Sequence, residues 1–255
     1  MGIMEGKKGL IVGVANERSI AWGIARAAAR EGAELAFTYA LDQLEKRVTP
    51  LAESVGSTFV HKMDVTDDAQ MDEVFEKLKE HFGTIDFIVH GVAFSDKNEL
   101  KGAFSNTSRE NFLNTMDISA YSLTALSRRS AEMMPDGGSI LTLSFYGAQK
   151  VITNYNVMGV AKAALEASVR YLAVDLGPKN IRVNAISAGA MKTLASAGIS
   201  NFKEMLNRGL ERAPLGRNVT LDEVGNAGLY MLSDLSTATT GEVFFVDGGY
   251  HVTGV

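Results

Sequence analysis

GLIVGVANERSIAWGIARAAAREG, residues 9–32, decides how the rest of the chain is read. GLIVGV at 9–14 is a short, continuous apolar run, the pattern of a strand buried on both faces. SIAWGIARAAAREG at 19–32 is an alanine-rich helical pattern stopped by Gly32. Between them, Gly13 follows the strand and Ser19 begins the helix. A glycine there lets backbone approach a diphosphate, and a helix N-terminus offers free N–H donors with partial positive charge. The spacing is not the usual GxGxxG, so the loop alone reads equally as a nucleotide cradle or as an ordinary strand-to-helix turn.

The alternation continues along the chain. ELAFTY at 34–39 reads as a second strand, a helix follows over 42–55, STFVHKMDV at 57–65 holds a third strand, and Thr66-Asp67-Asp68 opens a helix over 67–82. IDFIVHGVA at 85–93 is a fourth strand, and helical segments follow over about 108–134. SILTLSF at 139–145, IRVNAIS at 181–187 and EVFFVDGG at 242–249 are further strands, with a long alanine-rich helix before the second of these. Apolar strands separated by helices predict a parallel sheet covered on both faces. The expected fold is therefore α/β, doubly wound and Rossmann-like. No composition break, proline-rich linker or repeat divides residues 1–255, so one domain is expected. Ligands of such folds sit at the carboxyl ends of the strands, where the winding reverses, which singles out the loops after residues 13, 39, 64, 91, 144 and 187.

A chain of 255 residues, 46% hydrophobic and 22% charged, buries roughly 70–75% of its unfolded surface. Its net charge of −5 sets up no field that would gather nucleic acid. No run reaches the roughly 18 apolar residues that span a bilayer. Neither nucleic acid nor membrane is expected as a partner. Lys7 and Lys8 before GLIVGVA imitate the start of a signal peptide, but Asn16, Glu17 and Arg18 interrupt the apolar run. The absence of cysteine removes disulfides and thiolate chemistry and fits a reducing cytoplasm. His61, His81, His90 and His251 show no ligand spacing, so no metal site is expected.

NYNVMGVAK at 154–162 carries Tyr155 and Lys162, seven positions apart. Seven helical steps of about 100° return to within roughly 20° of the starting direction, so the two would share a face. By themselves they fit a catalytic pair or the polar side of an amphipathic helix. Cofactor choice has one local signal. The second strand ends Thr38-Tyr39-Ala40-Leu41, with neither an acid for a ribose hydroxyl nor a base for a 2′-phosphate, while Lys46 and Arg47 fall on the following helix. The lack of a cationic clamp favours NADH over NADPH.

With the glycine loop, the Tyr155 and Lys162 pair, RVNAISAG at 182–189 and FFVDGG at 244–249 in order, the whole chain resembles the short-chain dehydrogenase/reductase superfamily. Its commoner members place lysine four residues after the tyrosine, where this chain has Gly159. The longer gap in YNVMGVAK, with GVANERSIAWGIA at 13–25 and SAGAMKTLASAGI at 187–199, resembles the bacterial enoyl-acyl carrier protein reductases of fatty acid elongation. The resemblance implies a single NAD(P)-binding domain in which hydride moves from NADH to the β-carbon of a trans-2-enoyl thioester. Tyr155 would donate a hydrogen bond to the enolate oxygen, a phenol of pKa about 10 being neutral at physiological pH. Lys162 would hold the nicotinamide ribose. By the same resemblance, Gly13, Ser19 and Ile20 would meet the pyrophosphate, Ala40 the adenine ribose, and Asp64 and Val65 the adenine. Asp64 would otherwise cap the next turn. Gly91, Val92 and Ala93 would line the cofactor, and Ala190, Met191, Lys192 and Thr193 would close over the nicotinamide. Ser95, Tyr155 and Met158 would form the acyl pocket with the segment from about 194 to 207, inside a substrate-binding loop and helix at about 190–212.

Several positions depart from that pattern. The family's second tyrosine, ten residues before the first, is Phe145 here, with Tyr146 one place later. Successive strand residues face opposite ways, so Tyr146 is not an automatic replacement. Ala93 stands for a common glycine and Ala190 for a common proline. Ser200 and Glu204 occupy two places of a basic cluster that docks the acidic carrier protein, while Lys203 and Arg208 keep some of its charge. Two other functions compete. A ketone or alcohol oxidoreductase of the same superfamily would expect lysine at 159 and a hydroxyl donor such as Thr142 or Ser144. A nucleotide-binding regulator without catalysis would not need an intact Tyr155 and Lys162. Relatives are commonly homotetramers. Ala161, Ala163, Ala164, Ala167 and Ser168 would permit close helix approach between subunits, or simply packing on the sheet.

Overall fold

A computed structural model describes residues 2–194, 196 and 202–253. Seven parallel strands form one sheet in the order β3-β2-β1-β4-β5-β6-β7. They are β1 (Lys8–Val12), β2 (Glu34–Tyr39), β3 (Phe59–Lys62), β4 (Phe87–His90), β5 (Gly138–Ser144), β6 (Ile181–Ala188) and β7 (Val243–Val246). The helices are α1 (Ile20–Arg30), α2 (Asp42–Ser54), α3 (Asp68–Phe82), α4 (Arg109–Met116), α5 (Ser122–Glu132), α6 (Asn156–Leu176), α7 (Phe202–Arg212) and α8 (Leu221–Leu232). The predicted strands and helices are present with ends drawn in by a few residues. Among the described residues no helix is long and apolar enough to cross a membrane.

The apolar strands are explained by what covers them. Leu10 and Val12 of β1 enter one core with Ile88, Ile140 and Val183, closed by Met71 and Phe75 of α3, Leu123 of α5 and Leu165 of α6. Ile11, between them, enters the opposite core with Phe37, Val89, Leu141 and Ile186, closed by Trp22 and Ile24 of α1 and Val224 of α8. Alternate residues of one strand thus feed two cores, and neither face can afford a polar stripe. On the second face α1 and α8 pack almost backbone to backbone. A Cβ on Gly225 would stand 2.5 Å from the Gly23 carbonyl oxygen, and one on Gly228 would meet Ile24 at 2.6 Å.

The long helical stretch near 108–134 is not one helix. A π turn over Asp117–Tyr121 separates α4 from α5. The wide turn brings two serines to the end of β4: Ser119 donates to the Phe94 carbonyl at 3.1 Å, and Ser122 Oγ lies 2.8 Å from His90 Nε2.

Candidate active site

The carboxyl ends of the strands share one end of the sheet, and the winding reverses between β1 and β4. There Gly13 takes φ +100°, and a Cβ on it would lie 2.2 Å from the Gly91 carbonyl oxygen. A Cβ on Gly91 would meet Ala21 Cβ at 2.9 Å, while its N–H donates to the Val12 carbonyl at 2.8 Å. Two residues without side chains leave a crevice walled by backbone. Ser19 closes the loop beside it, its hydroxyl accepting from the Ala15 and Asn16 N–H groups at 3.0 and 3.2 Å. Because that hydroxyl bonds backward, α1 starts without a side-chain cap. The Ser19 carbonyl accepts from the Trp22 and Gly23 N–H groups at 3.0 and 3.2 Å, which leaves those of Ile20 and Ala21 without an acceptor in the helix. Ile20 follows directly and packs on the second core.

On the β3 side of the crevice, Ala40 is exposed just beyond β2 and Val65 is buried just beyond β3. Asp64 Oδ1 accepts from the Thr66 N–H at 2.9 Å and the Thr66 hydroxyl at 2.8 Å, so it does cap this turn. The nearby cation, Lys62, is paired with Asp42 at 2.8 Å. After β4, Gly91 and Val92 are half-buried and Ala93 is exposed.

Tyr155 corrects one expectation. It is the N-cap of α6 rather than part of its first turn, and its neighbours Asn154 and Asn156 take φ of 64° and 36°. Regular 100° steps do not hold at that end, so shared helical face is not what relates Tyr155 to Lys162. Tertiary packing buries both, to 7% and 6% exposure. Tyr155 belongs to a small apolar cluster with Leu100, Val157 and Met158, and the Phe145 ring stands edge-on to it with centroids 5.1 Å apart. A Cβ on Gly147 would fall 2.4 Å from Tyr155 Cδ1, and one on Gly159 would fall 2.8 Å from the Gly147 carbonyl oxygen. The loop after β5 therefore lies flat on the start of α6. A lysine at 159 has no room for even its first side-chain carbon, which disfavours the ketone reductase arrangement.

The electrostatics follow from this burial. Desolvation, reinforced by the Glu166 carboxylate, raises the Tyr155 phenol above its ordinary value. Desolvation pushes Lys162 down to about 8, with Glu166 opposing the fall. Lys162 Nζ donates to the Leu143 carbonyl at 2.8 Å. His90, fully buried between Thr142 Oγ1 at 2.7 Å and Ser122 Oγ, is pushed down to about 3 by burial and then by Lys162, so it stays neutral. The two hydroxyls that a ketone reductase would use are engaged elsewhere, Thr142 with His90 and Ser144 with Glu166 at 2.6 Å.

Tyr146 is turned away from Tyr155. Its hydroxyl donates to the His251 carbonyl at 3.3 Å, and its ring packs edge-on against Phe245 and Tyr250. It is therefore not a stand-in for the outer tyrosine, because consecutive residues leaving β5 project to opposite sides. Met158 lies beside Tyr155, whereas the Ser95 hydroxyl faces α4, donating to Asn111 Oδ1 at 3.3 Å and accepting from Thr115 at 2.9 Å.

After β6, Ala190 and Met191 are half-buried and Thr193 closes a turn with Ser196, whose hydroxyl accepts from the Thr193 N–H at 2.9 Å. An open cleft of about 650 Å³ runs between this loop and α7, lined by Arg18, Met191, Lys192, Phe202 and Leu206. Tyr155 does not line it. The expected substrate segment falls partly outside the described residues, since 195 and 197–201, with Ser200 among them, are not described. Among the described residues no group of three or more His, Cys, Asp or Glu could hold a metal ion.

Sequence reasoning passed over Gly147 and Glu166. Nothing local marks Gly147. Glu166 stands four residues after Lys162 on a helix, and that spacing was the available signal.

A family model described as enoyl-(acyl carrier protein) reductase matches residues 13–251. Enoyl-[acyl-carrier-protein] reductase [NADH] 1 of Rhizobium meliloti is 60% identical over 254 residues, an alignment that covers 100% of this chain and 93% of that protein. The enoyl-[acyl-carrier-protein] reductase [NADH] FabI of Aquifex aeolicus is 50% identical, covering 100% and 95%. Among solved structures, the enoyl-(acyl-carrier-protein) reductase of Anaplasma phagocytophilum in complex with NAD superposes with a TM-score of 0.96 at 58% identity, covering 100% of this chain and 97% of that one. FabI from Candidatus Liberibacter asiaticus does so at 0.98 and 50% identity, covering 100% and 99%. A buried Tyr155 and Lys162 beyond the carboxyl end of β5 in a seven-stranded parallel sheet, in a chain matched end to end by these proteins, place it in the enoyl-(acyl carrier protein) reductase family.

Proposed function

We propose that this protein is an NADH-dependent enoyl-(acyl carrier protein) reductase, saturating the double bond of a trans-2-enoyl thioester in fatty acid elongation. The observation that carries the reading is the buried Tyr155 and Lys162 at the carboxyl end of the sheet, in a chain 50–60% identical over its length to NADH-dependent enoyl reductases.

The residues present suit a dinucleotide. Gly13 and Gly91 leave the space that a Cβ would fill, and the uncapped start of α1 offers donors to a pyrophosphate beside Ser19 and Ile20. Ala40 and the Asp64 and Val65 turn would take the adenosine half. Lys62, at the end of β3, is already paired with Asp42, in keeping with NADH. Lys162 would hold the nicotinamide ribose, and Gly91, Val92, Ala93, Ala190, Met191 and Thr193 would enclose the ring.

When bound, NADH supplies the hydride that adds to the β-carbon. The chain's own task is the charge that develops on the thioester oxygen. Tyr155, kept protonated by burial, donates its O–H to that oxygen, and Lys162 adds positive potential. Met158 and the apolar ring of Phe145 would shape the acyl end, with α7 covering it. Carrier-borne substrate would approach along α7, where Arg208 is already paired with Glu204 at 2.6 Å. A homotetramer is part of the same proposal: Val160, Tyr171 and Val174 stand exposed along one side of α6, at 38%, 76% and 76%. The test is loss of NADH absorbance on adding crotonyl or dodecenoyl thioester to purified protein. No turnover with either thioester, despite NADH binding, would overturn the reading.

A further inference from the structure

Glu166 is a buried carboxylate, 6% exposed, that the reaction as described does not use. It accepts from Ser144 Oγ at 2.6 Å and from Gln149 Nε2 at 3.4 Å. Those partners flank the loop whose Gly147 lies against the Tyr155 ring. One turn earlier on α6, Lys162 Nζ bonds the carbonyl of Leu143, the neighbour of Ser144. Two opposite charges on one helix thus address adjacent residues at the end of β5.

We propose that Glu166 is the positioning residue of this site: its carboxylate is the buried countercharge that keeps Lys162 cationic, and its hydrogen bonds clip the 145–149 loop against Tyr155. The inference rests on the enoyl reductase reading above. A lysine ammonium so deeply buried loses its proton readily unless an opposite charge shares its surroundings. Among the described residues, the other titratable groups near it do not supply that charge. His90 of β4 is neutral, Tyr155 is protonated, and Asp117 of the π turn interacts with Asp64 and Asp68 instead. Glu166, one turn along α6 and without a close ion pair to Lys162, is the carboxylate that opposes the lysine's desolvation among the described residues.

Three variants separate charge from architecture. Glu166→Gln keeps the size and hydrogen bonding but loses the charge, so the alkaline limb of NADH binding and of kcat/KM should move down by about one pH unit or more. Ser144→Ala keeps the charge and loses one clip, so the limb should stay while kcat falls. Glu166→Asp keeps the charge at shorter reach, so it should retain the wild-type limb, and it serves if Glu166→Gln does not fold by circular dichroism. Rates that fall with an unmoved limb in Glu166→Gln, or a limb displaced in Glu166→Asp, would overturn the proposal. The wild-type protein is assayed first: if it binds NADH but leaves enoyl thioesters unreduced, the reductase reading fails, while the pH limb of NADH binding still tests Glu166.

Discussion

Phe145 stands edge-on to Tyr155, 5.1 Å between ring centroids, while the next residue, Tyr146, reaches the opposite way to the His251 carbonyl. Among the described residues, the aromatic wall beside Tyr155 therefore carries no second hydroxyl. Tyr146→Phe should turn over enoyl thioester within about twofold of wild type and lose roughly 1 kcal/mol of stability from the missing hydrogen bond. A rate loss on the order of a hundredfold would show that the hydroxyl takes part after all.

On the proposed mechanism, Tyr155→Phe removes the donor to the developing enolate, while it leaves the packing nearly unchanged. Turnover should drop by about 10²- to 10³-fold, as for other oxyanion donors, with NADH affinity retained. Steady-state kinetics beside a direct NADH titration would separate these effects. Equal losses in both would mean that Tyr155 mainly supports the cofactor site.

Gly13→Ala should be severe for two reasons. The backbone there is at φ +100°, and the added carbon would overlap the Gly91 carbonyl at 2.2 Å. Gly6 offers a control, since it has φ +75° with nothing within 4 Å of an added Cβ. Gly6→Ala should cost only the left-handed penalty of about 1–2 kcal/mol. Gly13→Ala should cost more and also abolish NADH binding, which thermal unfolding with and without NADH would report.

His90 makes stability fall in acid. Its folded pKa, about 3, lies below the 6.5 of an unfolded histidine, so between those values the unfolded chain binds the extra proton. Stability is complete above pH 6.5 and is lost as pH drops toward 3. His90→Gln should be less stable at neutral pH for want of fitted hydrogen bonds. The gap between the two proteins in urea unfolding should then narrow by about 2 kcal/mol on going to roughly pH 5. A gap that stays constant would mean that His90 is already charged in the fold.

Glu204 and Arg208 neutralise one another on α7 at 2.6 Å. Glu204→Ala frees a cation for an acidic carrier. KM for carrier-borne substrate should fall a few-fold and become more salt-dependent, with the coenzyme A thioester unaffected. An identical response from both substrates would argue against α7 as the carrier's approach.

The architecture is legible in the chain's apolar runs alone. A parallel strand covered on both faces has to be an apolar run, and GLIVGV, IDFIVHGVA and IRVNAIS declare that without reference to one another. Gly13 and Gly91 could likewise be placed at the carboxyl ends of their strands, and Tyr155 and Lys162 on the connection that follows β5, since chain order alone sets that end of the sheet. What chain order does not encode is which way a residue faces once a loop leaves the sheet. Phe145 and Tyr146 are neighbours in sequence and opposites in space. Tyr155 turns out to cap α6, not to ride on it, and Gly159 is small because Gly147 crosses over it. Ser144 and Glu166 meet across 22 residues, and His90 and Thr142 across 52. The first arises from the packing of α6 on the sheet and the second from the register of β4 on β5, where His90 stands opposite Thr142; burial desolvates each pair, so the charge and orientation of the site come from the assembled fold.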